Sequence, residues 1–347
     1  MARIFSAVER ARREGARAAQ HEHLRLRTPM DRPIDIFRII EGAGIWLMFQ
    51  PMPRLFGAYK HENESAGIIL NTNHPSSLQR YTAAHEYGHH VLNHTESIDE
   101  EDSITGVSRA LSSQETAAQA FAADFLMPLQ LVNYTLRTLG LSIQPSHLSP
   151  VEVYKLSLQL GASYAATVTQ LVALKKIREG TAMKLQRERP ISIKEELGGE
   201  RPENARSEIW IVEEKDPRRE LTPRVNDEIH ILLGETPSSG YLWSVEPTRR
   251  DSQPMRINES AVVLVHDRFE TAEPSNEMTY GDSGIHRFVF KVLRPGACDL
   301  RVLKIRPWQT GEPPAAAFEA TIRAFERPTG DADRGLSMHQ KFLLSAA

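Results

Sequence analysis

The hydrophobic period changes once along this chain, and that change constrains the fold more than any other feature. Up to about Arg178 apolar residues recur mainly at helical spacing, whereas after Ser207 they alternate with a period of two. The two periods bury differently shaped faces, so the two stretches are expected to form separate domains. The length of 347 residues agrees, since it exceeds the usual size of one domain. Between them, residues 181–205 combine charges with Pro190, Gly198, Gly199 and Pro202, which reads as a linker. The expected organisation is a first domain over 1–180, this linker, an all-β domain over 206–328 and a mobile polar tail over 329–347.

The first domain reads as mixed α and β. Residues 2 to 27 are rich in Ala, Arg and Glu, with Glu9, Glu14 and Glu22 interspersed, which predicts a helix with a solvated face. Pro33 opens a second helix that Gly42 and Gly44 end. Ile45 to Phe49, Ala58 to Lys60 and Gly67 to Asn71 then read as strands of a small sheet. Helical patterns follow from Ser113 to Leu139, broken at Pro128, and from Val151 to Ile177, divided at Gly161.

Between sheet and helices stands His85-Glu86-Tyr87-Gly88-His89. On a helix, histidines four apart project from one face one turn apart, the spacing two nitrogen ligands need to meet one tetrahedral ion. Glu86 is placed to take a proton from a water that the metal acidifies, while the metal polarises a scissile carbonyl. A third ligand is needed. Glu115 opens the helical segment Glu115 to Pro128, whose alanines allow close packing against the motif helix. His90 and His94 are offset by five and nine from His85 and fall off the ligand face. Asp124 is available as an alternative ligand or as a carboxylate orienting a histidine, but nine residues beyond Glu115 it faces elsewhere on its helix, so a surface or packing role is expected. His74 and Tyr134 are available as oxyanion donors, but nothing in the spacing selects them.

His85-Glu86-Tyr87-Gly88-His89, followed by Glu115-x-x-Ala118-x-x-Phe121-Ala122-Ala123-x-x-Leu126-Met127-Pro128, resembles the ImmA/IrrE family of zinc metallopeptidases. The upstream strands and Arg80-Tyr81-Thr82 match it too, and residues 147–178 look like the helix-turn-helix-like unit that follows the peptidase core. The resemblance implies a zincin-like α+β domain with a helical appendage and Zn2+ held by His85, His89 and Glu115. Glu86 would be the general base. Characterised relatives cleave transcriptional repressors in the bacterial cytoplasm, so a repressor is the implied protein substrate.

In the second half Ile209 to Val212, Ile229 to Leu233, Ala261 to Val265, Phe288 to Val292, Leu300 to Ile305 and Thr321 to Phe325 read as strands of a β-sandwich. Three of its loops carry a second pattern: Thr236-Pro237-Ser238-Ser239-Gly240-Tyr241, Gly281-Asp282-Ser283-Gly284 and Arg306-Pro307-Trp308. In this order they resemble the chagasin-type inhibitors of papain-like cysteine peptidases. The resemblance implies an immunoglobulin-like sandwich whose three loops form a wedge for the peptidase cleft, with Trp308 an aromatic anchor. Thr236 departs from that family, whose first loop has Asn before Pro. Trp243 is expected in the core, and Cys298 as an inert strand thiol.

Composition narrows the remaining classes. A formal net charge of -3 supports neither nucleic-acid nor membrane binding by bulk charge. Residues 147–178 offer only Lys155, Lys175, Lys176 and Arg178 nearby, so direct DNA binding is not expected. One cysteine, no signal-like N-terminus and no membrane-length apolar run lead to the expectation of a cytoplasmic protein. The alternative function is a cysteine-peptidase inhibitor for which the zinc domain is only a carrier.

Overall fold

The computed structural model describes residues 6–62, 65–94, 97–100, 112–144, 147–202, 204–216, 220–245, 261–271, 283–309 and 311–326. They form two compact units whose principal boundary falls between Arg187 and Glu188.

The first unit holds a sheet of β1 (Trp46–Gln50), β2 (Leu55–Glu62), β3 (Ser65–Asn71) and β4 (Ser97–Glu100) in the order β1-β3-β2-β4. Strand β1 runs parallel to β3, while β2 is antiparallel to both β3 and β4. Helix α3 (Ser76–Val91), which carries the histidine motif, packs over β2 and β3. The chain turns into it through a buried Asn71, whose amide donates to Met52 O at 2.7 Å and Leu55 O at 2.6 Å. That bonding satisfies carbonyls the sheet leaves over between β1 and β2.

Helix α1 (Ala7–Leu26) opens with a capping box in which Ser6 and Glu9 satisfy each other's backbone N–H. Its sequence reads as a helix with a solvated face, which Glu9 and Glu14 occupy, whereas Glu22 turns inward and is buried. Ala11, Gly15 and Ala19 make a small-residue stripe at spacing four that buries against α4 (Ser113–Leu126). The charges that dominate the composition lie on the remaining faces, and composition is blind to that segregation. Near its C-terminus His23 stacks on Phe125 at 4.3 Å, its Nε2 lying 3.0 Å from Phe125 O. Beside it, buried Glu22 accepts hydrogen bonds from Arg25 and from the Tyr87 hydroxyl of α3. Helix α1 thus braces both helices of the histidine site.

Helix α2 (Ile36–Gly42) begins later than Pro33, because Asp35 caps it by accepting from Arg38 N at 3.2 Å. Helix α4 is capped by Ser112 and stops before Pro128, after which α5 (Leu129–Thr138) restarts. The pair α6 (Pro150–Leu160) and α7 (Tyr164–Ala173) is divided by Gly161, which caps α6 in the left-handed conformation. Buried Arg80 of α3 ties this pair in, donating to Gly161 O at 3.0 Å and Ile34 O at 2.7 Å.

The stretch read as a linker carries two helices, α8 (Glu179–Leu185) and α9 (Pro190–Gly198). Each is too short for its period to stand out among charges, yet each buries apolar residues: Ala182 and Leu185 in α8, Ile193 in α9. Tyr164 donates to Leu185 O at 3.1 Å and so joins α8 to the first unit.

The second unit contains two four-stranded sheets. One has the order β5-β7-β10-β9, from Ile209–Glu213, Glu228–Glu235, Gly284–Val292 and Val262–Thr271. The other has the order β6-β12-β11-β8, from Glu220–Leu221, Ala316–Ala324, Gly296–Ile305 and Leu242–Val245. Apart from the parallel pairs β5–β7 and β6–β12, neighbours are antiparallel. The twofold period becomes an inward face: Ile229, Ile231 and Leu233 of β7 and Phe318, Ala320 and Ile322 of β12 are buried. Trp210 and Trp243 lie in this core, Trp243 as expected. Cys298 is half-buried on β11, where burial pushes its thiol pKa up and keeps it a poor nucleophile.

Candidate functional site

Two helices supply the histidine site. In α3, His85, Glu86 and His89 are all buried, and Glu115 comes from the first turn of α4, its side chain 25% exposed. The crossing is close at Gly88, where an added Cβ would stand 2.9 Å from the Phe121 ring. A side chain there would push α4, and Glu115 with it, away from the histidines.

The donor atoms converge. His85 Nε2 lies 3.1 Å from His89 Nε2 and 3.2 Å from Glu115 Oε2, and His89 Nε2 lies 3.5 Å from Glu115 Oε1. Among the described residues this is the group of His, Cys, Asp and Glu side chains able to hold a metal ion, its atoms all within 4.8 Å. A tetrahedral ion bound at about 2.0–2.2 Å requires donors about 3.3–3.5 Å apart, close to these separations. Two buried imidazole lone pairs this near repel unless a proton or a cation lies between them, so the donor set fits a metal. Burial pushes the Glu115 carboxyl up, but hydrogen bonds and charge from His85 and His89 together outweigh it and hold it well below the usual carboxylate range.

The other sequence candidates go elsewhere. His90 faces away, its Nδ1 3.0 Å from the Tyr59 hydroxyl of β2. Asp124 accepts from Gln170 Nε2 at 2.9 Å, which occupies it in holding α7 to α4. His74 stacks on Phe56 at 4.6 Å, and Tyr134 sits partly exposed on α5. His94, outside the donor set, comes back to the site from beyond the helix end: its Nδ1 is 3.1 Å from Nδ1 of His89. Sequence spacing missed this because it assumes the helix continues. Asn93, a residue that tolerates the left-handed conformation and stands at φ 53° after the helix C-cap, was the available signal.

In the second unit the three loop segments meet at one end of the sheets. Pro237–Ser239 forms a 3-10 turn, with Ser239 Oγ donating to Thr236 O at 2.7 Å. Gly240 follows at φ 74°, and the Trp308 ring packs 3.0 Å from where its Cβ would be. That position demands glycine for its conformation, and a Cβ there would also press on the Trp308 ring. Thr236 Oγ1 and Ser283 Oγ are 3.0 Å apart, so the hydroxyl standing in the place of asparagine joins the first segment to the second. Gly284 begins β10, opposite Glu235 and Thr271. Gly281 and Asp282 lie outside the described residues. The Arg306 guanidinium lies over the Tyr241 ring at 4.3 Å, joining first and third segments, and Trp308 remains 66% exposed beside Pro307.

Comparison with known proteins agrees with both halves. The family model of the IrrE N-terminal-like domain (Peptidase_M78) matches residues 40–169, and that of the chagasin family peptidase inhibitor I42 matches residues 222–322. Amoebiasin-2 of Entamoeba histolytica is 32% identical over 115 residues, covering 33% of this chain and 84% of that protein. Among solved structures, the cysteine protease inhibitor EhICP2 from Entamoeba histolytica matches with 25% identity and a TM-score of 0.29, covering 35% of this chain and all of that one. PbICP-C, solved in complex with falcipain-2, matches with 15% identity and a TM-score of 0.22 over 35% of this chain and 90% of that one. Helix α1, which braces the histidine site, precedes the matched peptidase segment. The chain therefore joins a segment that matches the IrrE N-terminal-like (Peptidase_M78) model to a C-terminal domain that belongs to the chagasin family of peptidase inhibitors.

Proposed function

We propose that the chain is a cytoplasmic zinc-dependent endopeptidase that cuts a regulatory protein, such as a transcriptional repressor, at a specific site. Its C-terminal domain, an immunoglobulin-like sandwich over 206–328, serves as a protein-binding module for a papain-like cysteine peptidase. The observation that carries the enzymatic part is the convergence of His85, His89 and Glu115 donor atoms within 4.8 Å, next in sequence to fully buried Glu86. Two imidazoles and one carboxylate are the donor set of hydrolytic zinc sites that leave a fourth position open. Zinc bound there supplies Lewis acidity toward a carbonyl oxygen and acidifies water.

The chain's own residues do the rest. His85 and His89 orient the site from a rigid helix, and Glu115 adds the negative charge that favours a dication. Glu86 accepts the proton of the attacking water and returns it to the departing amine, a role that needs a carboxylate. Glu86→Gln keeps the shape and removes the base. Zinc binding is expected to persist while cleavage falls by about 10²–10⁴-fold. Substrates are sought by comparing the proteomes of cells carrying the wild-type and Glu86→Gln proteins, and undiminished proteolysis in the variant would end the assignment.

A second reading, inhibition of a cysteine peptidase with the zinc domain as carrier, is favoured by one observation. Trp308 is largely exposed on a platform that Thr236–Ser283 and Tyr241–Arg306 hold together. Papain assayed with the full chain tests this reading, and cleavage lost in Glu86→Gln with papain inhibition retained separates the zinc chemistry from it. Papain turnover that is unchanged at micromolar chain excludes it.

A further inference from the structure

We propose that His94 is a positioning residue for the metal centre: its neutral ring accepts the Nδ1–H of His89 and thereby commits His89 Nε2 to the ion. The inference rests on the metal-site reading above. The two Nδ1 atoms are 3.1 Å apart, and the rings meet edge to face with centroids 5.0 Å apart. On its other side His89 Nε2 points at His85 Nε2 and Glu115. A neutral imidazole carries one proton, so a lone pair on Nε2 for the ion requires the proton on Nδ1. That proton needs an acceptor, because His89 is 1% exposed and an unmet N–H there costs desolvation. The acceptor atom that meets it is Nδ1 of His94, which places the His94 proton on its Nε2.

The backbone holds this arrangement at the helix end. Leu92 closes α3, Asn93 takes the left-handed conformation, and His94 N donates to His89 O at 2.9 Å. One residue, His89, is thus gripped twice by His94, through main chain and through ring. Outer hydrogen bonds of this kind orient a ligand ring and raise its basicity, and their loss typically weakens metal binding about 10–100-fold.

The test is zinc affinity of the full chain, by competition with a chromophoric chelator, together with the absorption spectrum of the cobalt-loaded protein. His94→Ala is expected to lower zinc affinity about 10–100-fold and to change the cobalt ligand-field bands. His94→Asn places Oδ1 where Nδ1 stood and is expected to restore both, which a merely structural loss would not permit. Unfolding of the apo forms checks that each variant folds, and if the Ala variant does not, His94→Leu, which keeps bulk but offers no acceptor, takes its place against Asn. Zinc affinity of His94→Ala equal to wild type overturns the proposal, as does Asn failing to restore what Ala loses. His89→Ala separates the two claims: if it too leaves affinity unchanged, the metal-site reading itself is wrong.

Discussion

Gly15→Ala sets two physical effects of opposite sign against each other. On an isolated helix the substitution stabilises, by about 1 kcal/mol of propensity. In this fold the new Cβ would stand 2.0 Å from Ala117 O, 2.8 Å from Phe121 N and 2.9 Å from Ala117 C. All three are backbone atoms of α4, so no rotamer change can relieve the overlap. Bringing Cβ and carbonyl oxygen to about 3.3 Å requires α1 to retreat by about 1.3 Å. The retreat loosens Ala11, Ala19 and the His23–Phe125 stack along the same face. Overpacking typically costs about 1–3 kcal/mol, and a backbone obstacle places this case at the upper end. Subtracting the propensity gain leaves about 2 kcal/mol of net destabilisation. Native-state hydrogen exchange of the full chain reads this locally, with strands β10 and β11 as an internal reference. Amides of α4 are expected to exchange about 30-fold faster, the equivalent of 2 kcal/mol. Because Glu115 sits on α4, affinity for a metal at the proposed donor set is expected to fall with them. Slower exchange in α4 would refute the packing argument, because propensity would then have outweighed the crossing.

Two further outcomes follow. Burial lowers the His23 pKa and the hydrogen bond with Phe125 O only partly offsets it, so the folded protein keeps this ring neutral in a range where the unfolded chain binds a proton. His23 therefore contributes stability above the ordinary histidine value of about 6.5, and that contribution drains as pH falls toward the lower folded value. Unfolding free energies of wild type and His23→Gln from urea titrations between pH 7.5 and 5.5 are expected to converge on acidification, by at most about 1.4 kcal/mol per pH unit; parallel profiles would contradict the assignment. Trp308→Ala removes a side chain that is 66% exposed, so the fold is expected to stand while affinity for papain drops by about 30-fold or more. An unaltered papain affinity, in a chain that binds papain, would exclude Trp308 as the anchor.

What the sequence determined by itself is everything carried by local period and local chemistry. The change from helical to twofold spacing separates two units, and Pro128 and Gly161 mark real helix ends. The candidate donor set His85, His89 and Glu115, whose atoms meet in the fold, was legible because two of its members are a turn apart on one helix and the third opens another. The six strands read from alternation are all present in the second unit, while β6 and β8 are too short to alternate visibly. Tertiary structure decided what depends on distant partners. It buries one face of α1, because a small-residue stripe matters only once α4 is there to fill it. It sends Asp124 to Gln170, and His90 to Tyr59 on a strand about thirty residues earlier in the chain. It returns His94 to His89, because one left-handed residue reverses a direction that helical spacing would have continued. Residue type and spacing can name the groups that chemistry needs. Which of them meet depends on where the chain stops repeating, and there a single backbone angle outweighs the pattern.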